Sequence, residues 1–392
     1  MPLEEDLDRV SVPDLNRIDG ISKPPCIEAY GFGMNNLFQE KGSLEEFGLH
    51  PVGTGPFRLS QWKEKEITFV ANRDYFPGRP YLDKIVVRTY PSQELAWARL
   101  MRGEGDLLGP VDPSVYDFLK QVRSLQIYNA YNLHYSMMAF NNNREPFHDM
   151  KVRRALNFAI DKGYMIQKAL MGKGQPAAGP IWPRSWAYDP AVKPYPYDPQ
   201  RALSLLKEAG WRDTDGDHVL DKDGKKFSFT LIIIEGNETG RRTAMHLQQQ
   251  LWEAGILMDI KTVSIAAIDF LFQGKFEAAL IDISAYIYPD FSYNIWHSSQ
   301  IGRGINIGRY RSSIVDGLLE NARRTEDREE ARLIYYKFQD EIHDNPPGIF
   351  LYWADTLIGV HRRFRGIKFS PTRTMAYVHE WYVPKQEQKY NK

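Results

Sequence analysis

Phe227-Ser-Phe-Thr-Leu-Ile-Ile-Ile234, the stretch Thr239 to Ala254, and Leu257-Met-Asp-Ile-Lys-Thr-Val263 decide the fold. The first and last are short runs rich in β-branched and aromatic residues, the composition of strands. The middle stretch has helical length, and Gly255 follows it as a C′ stop. Strand, helix and strand in that order define an α/β lobe. Towards the amino terminus of this unit, Asp149 is a cap for a helix in which Val152, Ala155, Leu156, Ala159 and Ile160 form one apolar stripe. The connection from Gly179 to Pro199, with Pro183, Pro190, Pro194, Pro196 and Pro199 among its prolines, cannot be regular structure. Asp198-Pro199 then starts a helix that Gly210 stops. Towards the carboxy terminus, residues 312–324 and 327–343 read as a helical pair.

Further out, Phe57 and Leu59, Ile67 to Val70, and Ile85 to Tyr90 are strand-like runs bounded by Gly, Pro or Asp. The segment Tyr75 to Pro80 is a loop. Ser92 caps a helix ended by Gly103, and a short strand follows at Asp106-Leu-Leu108. These elements predict a first α/β lobe. Residues 1–47 carry no strong period and read as a tail or remnant.

The 392 residues are 43% hydrophobic, enough for two or three lobes with a substantial core. Fifty basic residues balance fifty acidic ones, so no overall field draws nucleic acid, and nucleic acid is not an expected partner. Cys26 is the only cysteine, which excludes an internal disulfide and a thiolate metal cluster. The acidic start Met1-Pro-Leu-Glu-Glu-Asp lacks the pattern of a secretory signal.

The histidines show no metal-ligand spacing, and neither GxSxG nor a P-loop occurs. The expectation is therefore a binding protein without a cofactor rather than an enzyme; a carboxylate-based hydrolase and a scaffold role are the rivals. Asp213, Asp215 and Asp217 stand at alternate positions, as in a calcium loop, although His218 replaces the turn glycine and Gly224 the closing glutamate. The bland reading is an Asp/Gly turn. Tyr286, Tyr288, Asp290 and Trp296 gather aromatic faces and a carboxylate in one proline-stiffened loop, which suits stacking on an amphipathic solute or simply packing at the surface. Arg303 and Arg309 follow and could hold a ligand carboxylate, or form a solvated basic face.

Several blocks, in this order, resemble the bacterial extracellular solute-binding proteins of family 5, the peptide-binding type. They are Gly53-Thr-Gly-Pro-Phe57, Asn72 to Asp83, Phe140 to Leu156 with Ala159-Ile-Asp161, Tyr197-Asp-Pro with Leu205 to Trp211, and Val315 to Leu319 through Pro346-Pro347. The resemblance covers about residues 48–384. It implies a two-lobed periplasmic-binding-protein-like fold of type II, with an interlobe cleft and two crossover segments. It further implies a monomeric, membrane-associated receptor, periplasmic or extracellular, that passes a peptide or similar solute to an inner-membrane ABC permease. On this basis lobe I is residues 48–132 with 362–392, lobe II is 141–356, and the crossings are 133–140 and 357–361. Fewer residues precede the first block than the family has, so an amino-terminal truncation is expected. Peptide-binding relatives place an Asp where Ile287 stands here, so capture of a free amine is not expected from this loop.

Overall fold

The structure, a computed structural model, describes residues 53–130, 133–265, 268–285, 288–370 and 375–389. The expected tail, residues 1–47, lies outside them. The chain divides into two units, residues 1–90 and 91–392.

In the first unit, β1 (Phe57–Lys63), β2 (Glu66–Ala71) and β3 (Lys84–Arg88) form an antiparallel sheet in that order. Asn72 ties the two sequence blocks of this unit together. Its amide donates to the Gly55 carbonyl at 3.0 Å, its side-chain oxygen accepts from the Asp74 N–H at 3.1 Å, and its own N–H donates to Pro56 at 2.8 Å. Asn is suited to this work because it both donates and accepts next to a turn.

The second unit begins with α1 (Gln93–Met101), whose Leu95 N–H donates to the Ser92 hydroxyl cap at 3.3 Å. It continues through β4 (Leu107–Val111), α2 (Tyr116–Lys120), β5 (Leu125–Ala130), β6 (His134–Phe140), α3 (Met150–Phe158), α4 (Lys162–Ala169), β7 (Gly174–Pro176) and α5 (Pro199–Glu208). Next come β8 (Asp221–Lys222), β9 (Lys225–Lys226), β10 (Ser228–Ile234), α6 (Glu238–Glu253), β11 (Leu257–Val263), α7 (Asp269–Phe272) and β12 (Ala278–Ser284). It closes with α8 (Ser292–Trp296), α9 (Ser313–Arg324), α10 (Arg328–Asp344), β13 (Gly348–Ala354) and β14 (Thr356–His361). The expected strand-helix-strand unit is β10-α6-β11, and its strands pair in parallel, as a crossover helix requires.

Two sheets organise this unit. The larger has the order β11-β10-β12-β6-β13-β7, and the smaller has the order β4-β14-β5. The chain leaves the small sheet after β5 and enters the large one at β6, and it returns at Asp355 between β13 and β14. Residues 133–140 and 357–361, expected as the crossings, coincide closely with β6 and β14. The hydrogen-bonding partners that place each run in one sheet are remote in sequence.

Strand β6 is buried on both faces. Met138 and Phe140 join a core that includes the apolar stripes of α3, α4, α5 and α6. Tyr135, Met137 and Ala139 face the opposite core, which α8, α9 and α10 supply. A sheet between two helical layers is the arrangement that near-continuous apolar strands demand.

The block Phe140 to Leu156 does its work at the ends of these strands. Asn141 donates to the carbonyls of Gly274 and Phe276, both at 3.0 Å, and Asn142 donates to Gly308 at 2.9 Å. Arg153, almost fully buried, donates to the carbonyls of Pro346 and Phe147 at 2.7 Å and of His148 at 2.9 Å. Each contact satisfies a backbone acceptor at a strand or helix end.

Arg153→Met should therefore cost about 3 kcal/mol or more, because several buried acceptors lose their donor. Arg153→Lys should recover less than half of that in urea unfolding. Lys162 gives a second expectation. Its ammonium is enclosed with one acceptor, the Ala177 carbonyl at 3.2 Å, and burial pushes its pKa down to about 7 from 10.5. The folded value lies below the unfolded one, so between those two pH values the unfolded chain binds the extra proton and stability rises with pH. Lys162→Met should be more stable than the parent at pH 7, and the difference should shrink by pH 9.5; a constant difference would refute this.

Candidate functional site

A cleft of about 960 Å³ lies between the two sheets of the second unit. Its small-sheet wall comes from the start of α1, with Ser92, Glu94 and Trp97, and from Asp112 at the end of β4. Its large-sheet wall comes from β6, β12, β13 and the amino-terminal end of α6. Asp355, the return crossing, also lines it.

The large-sheet wall is built by register. Ser136 of β6 pairs with Asp282 on β12 and with Tyr352 on β13, which sets three polar side chains in a row across neighbouring strands. The Ser136 hydroxyl donates to the Asp282 carboxylate. Tyr352 reaches this row through a register shift in β13 between Phe350 and Tyr352. Phe350 packs on one face of the sheet, and after the shift Tyr352 packs on the other with Leu351. A bulge re-aims side chains in this way. The Tyr352 hydroxyl meets Thr243 of α6 at 2.8 Å, and burial raises its pKa to about 12, so it stays protonated. Burial likewise lowers the pKa of His134, against the pull of Asp282.

One contact joins the walls. Arg242 of α6 donates to both carboxylate oxygens of Asp112, at 3.0 and 3.1 Å, and Thr239 donates to the same group at 3.1 Å. Burial opposes the charge on Asp112, but hydrogen bonds from Ser114 and Arg242 outweigh it and hold the carboxyl below its usual range. Gln93 completes the small-sheet side by accepting from the Asp112 N–H at 3.0 Å.

Of the residues expected to line the site, those that are described do not line this cleft. Tyr286 lies outside the described residues. Tyr288 is exposed, and Asp290 forms an ion pair with Arg323, whose Nη2 lies 3.0 Å from its carboxylate. Trp296 is only 4% exposed and packs against Phe350 and Tyr310 inside the second core. Arg303 is exposed, and Arg309 points its guanidinium at the Phe272 carbonyl, 3.4 Å away. The loop has the composition of a recognition surface, but β12 meets the cleft before the loop begins. The sequence did carry a signal for the large-sheet wall of this cleft. In Leu133 to Phe140 and Ala278 to Ser284, the apolar run is broken by His134 and Ser136, and by Asp282 and Ser284, at alternate positions.

The acidic turn also differs from expectation. Asp213 and Asp215 gather with Asp221 rather than with Asp217, all within 4.8 Å of one another. The Lys226 ammonium sits 2.7 Å from Asp215 and 2.8 Å from Asp217, and Asp213 accepts from the N–H groups of Gly216 and His218. A protein cation already supplies the positive charge there, and backbone donors use the oxygens that a calcium ion would need.

A two-lobed α/β unit with two chain passages beneath a polar cleft is the architecture of a solute-binding protein. Residues 19–303 match the model of bacterial extracellular solute-binding proteins, family 5 middle, and the chain belongs to that family. Its relatives include the oligopeptide-binding protein AppA of Bacillus subtilis, 34% identical over 86% of this chain and 62% of the relative. Heme-binding protein A of Haemophilus influenzae is 30% identical over 88% of this chain and 62% of the relative. The chain thus spans about three fifths of the length of these curated relatives. Among solved structures, AppA in complex with a nonapeptide superposes with a TM-score of 0.80, at 33% identity, over 90% of this chain and 71% of that one. NikZ of Campylobacter jejuni in complex with Ni(L-His) gives 0.78, at 28% identity, over 89% and 72%. The expected periplasmic-binding-protein-like fold is borne out. Among the described residues no helix is long and apolar enough to cross a membrane.

The Lys226 contacts generate one expectation. Millimolar calcium should leave the thermal midpoint unchanged, since a cation that bound the folded state would raise it. A clear rise, lost in Asp215→Asn, would restore the metal reading of this turn.

Proposed function

We propose that this chain is the ligand-binding body of a receptor serving an ABC importer. It closes its two lobes over a peptide or a similar amphipathic solute and delivers the solute to a membrane permease. It does so as a monomer on the periplasmic or extracellular side, by binding rather than by converting the solute. The observation that carries this reading is the cleft itself, about 960 Å³ in volume, set between the two sheets of the second unit. That volume suits a ligand of peptide size, and a mixture of apolar walls with a few convergent polar groups suits one held by orientation as well as burial. The Asp112 to Arg242 ion pair spans the walls, so opening the cleft breaks it and closing remakes it. Relatives named for oligopeptides, glutathione and dipeptides support the solute class.

Native mass spectrometry of the gently purified chain, followed by calorimetry with a peptide pool, tests the proposal. Trp97→Ala should weaken binding at least tenfold, about 1.4 kcal/mol, while the exposed Tyr288→Ala should leave it within a factor of two. The reverse result would move the site to the loop at residues 288–296.

A further inference from the structure

We infer that the cleft selects solutes bearing ammonium or guanidinium groups, so that its preferred ligand is a basic peptide. This rests on the receptor reading above and adds the charge of the solute to it. Among the described residues, five carboxylates line the cleft, those of Glu94, Asp112, Glu238, Asp282 and Asp355, against the one guanidinium of Arg242. The chain as a whole has a net charge of zero, so this excess is segregated into the cleft. Two of the five carboxylates are already compensated. Asp112 is paired with Arg242, and Glu238 with Arg241 at 2.9 Å. Glu94, Asp282 and Asp355 make no ion pair among the described residues.

The uncompensated groups come from separate elements. Glu94 is on α1, Asp282 on β12, and Asp355 at the return crossing, so both walls and the passage beneath them present negative charge. Carboxylates brought together in a cleft with low-dielectric walls focus their field, and that field strengthens as closure excludes water. A neutral or acidic solute would leave the three charges facing one another inside a closing cavity. A solute with two or three positive groups removes that cost, and closure then strengthens each pairing. Ser136 holds Asp282 from below by donating to one carboxylate oxygen, which orients the group while leaving its remaining acceptor capacity for a ligand donor. Trp97 adds an aromatic surface to the same cleft, a further partner for a guanidinium.

The test uses the full chain and four probes in calorimetry: a pentapeptide with three central lysines, its glutamine and glutamate counterparts, and spermidine. The lysine peptide should bind at least tenfold tighter than the glutamine peptide and at least a hundredfold tighter than the glutamate one. Its affinity should fall steeply between 50 and 500 mM salt, as screening requires. Asp282→Asn combined with Asp355→Asn, with an unchanged thermal midpoint as the check on folding, should bring lysine and glutamine peptides within threefold of each other. Spermidine binding more tightly than the lysine peptide would overturn the peptide part of the inference. Equal affinity for the three peptides would overturn the charge selection and leave the receptor reading standing. No binding by any probe, together with no co-purified solute, would sink both.

Discussion

The paired passages between the two sheets are the constraint on which the second unit depends. Strands β5 and β14 are neighbours in the small sheet, β6 and β13 are neighbours in the large one, and the chain runs from β5 on to β6 and from β13 through Asp355 to β14. Two hydrogen-bonded ribbons thus meet end to end. Each pair is held by a backbone ladder, and among the described residues Asp355 stands between the two ladders without belonging to either. The cleft lies between these two sheets, and each sheet packs its own apolar side chains.

The cleft's chemistry follows from the same geometry. β6 is the strand nearest the seam and lies between β12 and β13, so a residue near its first turn is flanked on both sides. Ser136 occupies that position, and Asp282 and Tyr352 fall beside it by register. Deeper along the same face come Met138 and Phe140, fully buried against the helices. Polar residues therefore cluster where the sheet emerges into the cleft, and the apolar residues beyond them anchor the strand. The two walls also differ in construction. The large-sheet wall is a strand row with helical backing, whereas the small-sheet wall is the start of one helix and the Asp112 turn.

The family-like block Phe140 to Leu156 ties strand ends together. Phe140 to Leu156 supplies Asn141, Asn142 and Arg153, whose donors reach backbone carbonyls in three other segments of the chain. Side chains with several donors in a fixed arrangement are suited to closing off strand ends that have no ladder partner. The aromatic loop at residues 288–296 shows the converse case. Its composition resembles a binding surface, yet its tryptophan fills a core and its carboxylate is held by Arg323 on α9.

The sequence by itself determined the elements and their class. Helix caps at Ser92, Asp149 and Asp198, the apolar stripe of α3, and the parallel unit from β10 to β11 all rest on contacts between residues close along the chain, and local pattern records such contacts. The tertiary structure alone decided the site. Asp112 meets Arg242 across 130 positions, and Ser136 meets Asp282 across 146. The face that Tyr352 presents depends on a register shift against β6 that no single-strand pattern announces. A cleft assembled from distant strands is set by which strands become neighbours, and that is settled when the whole core is packed.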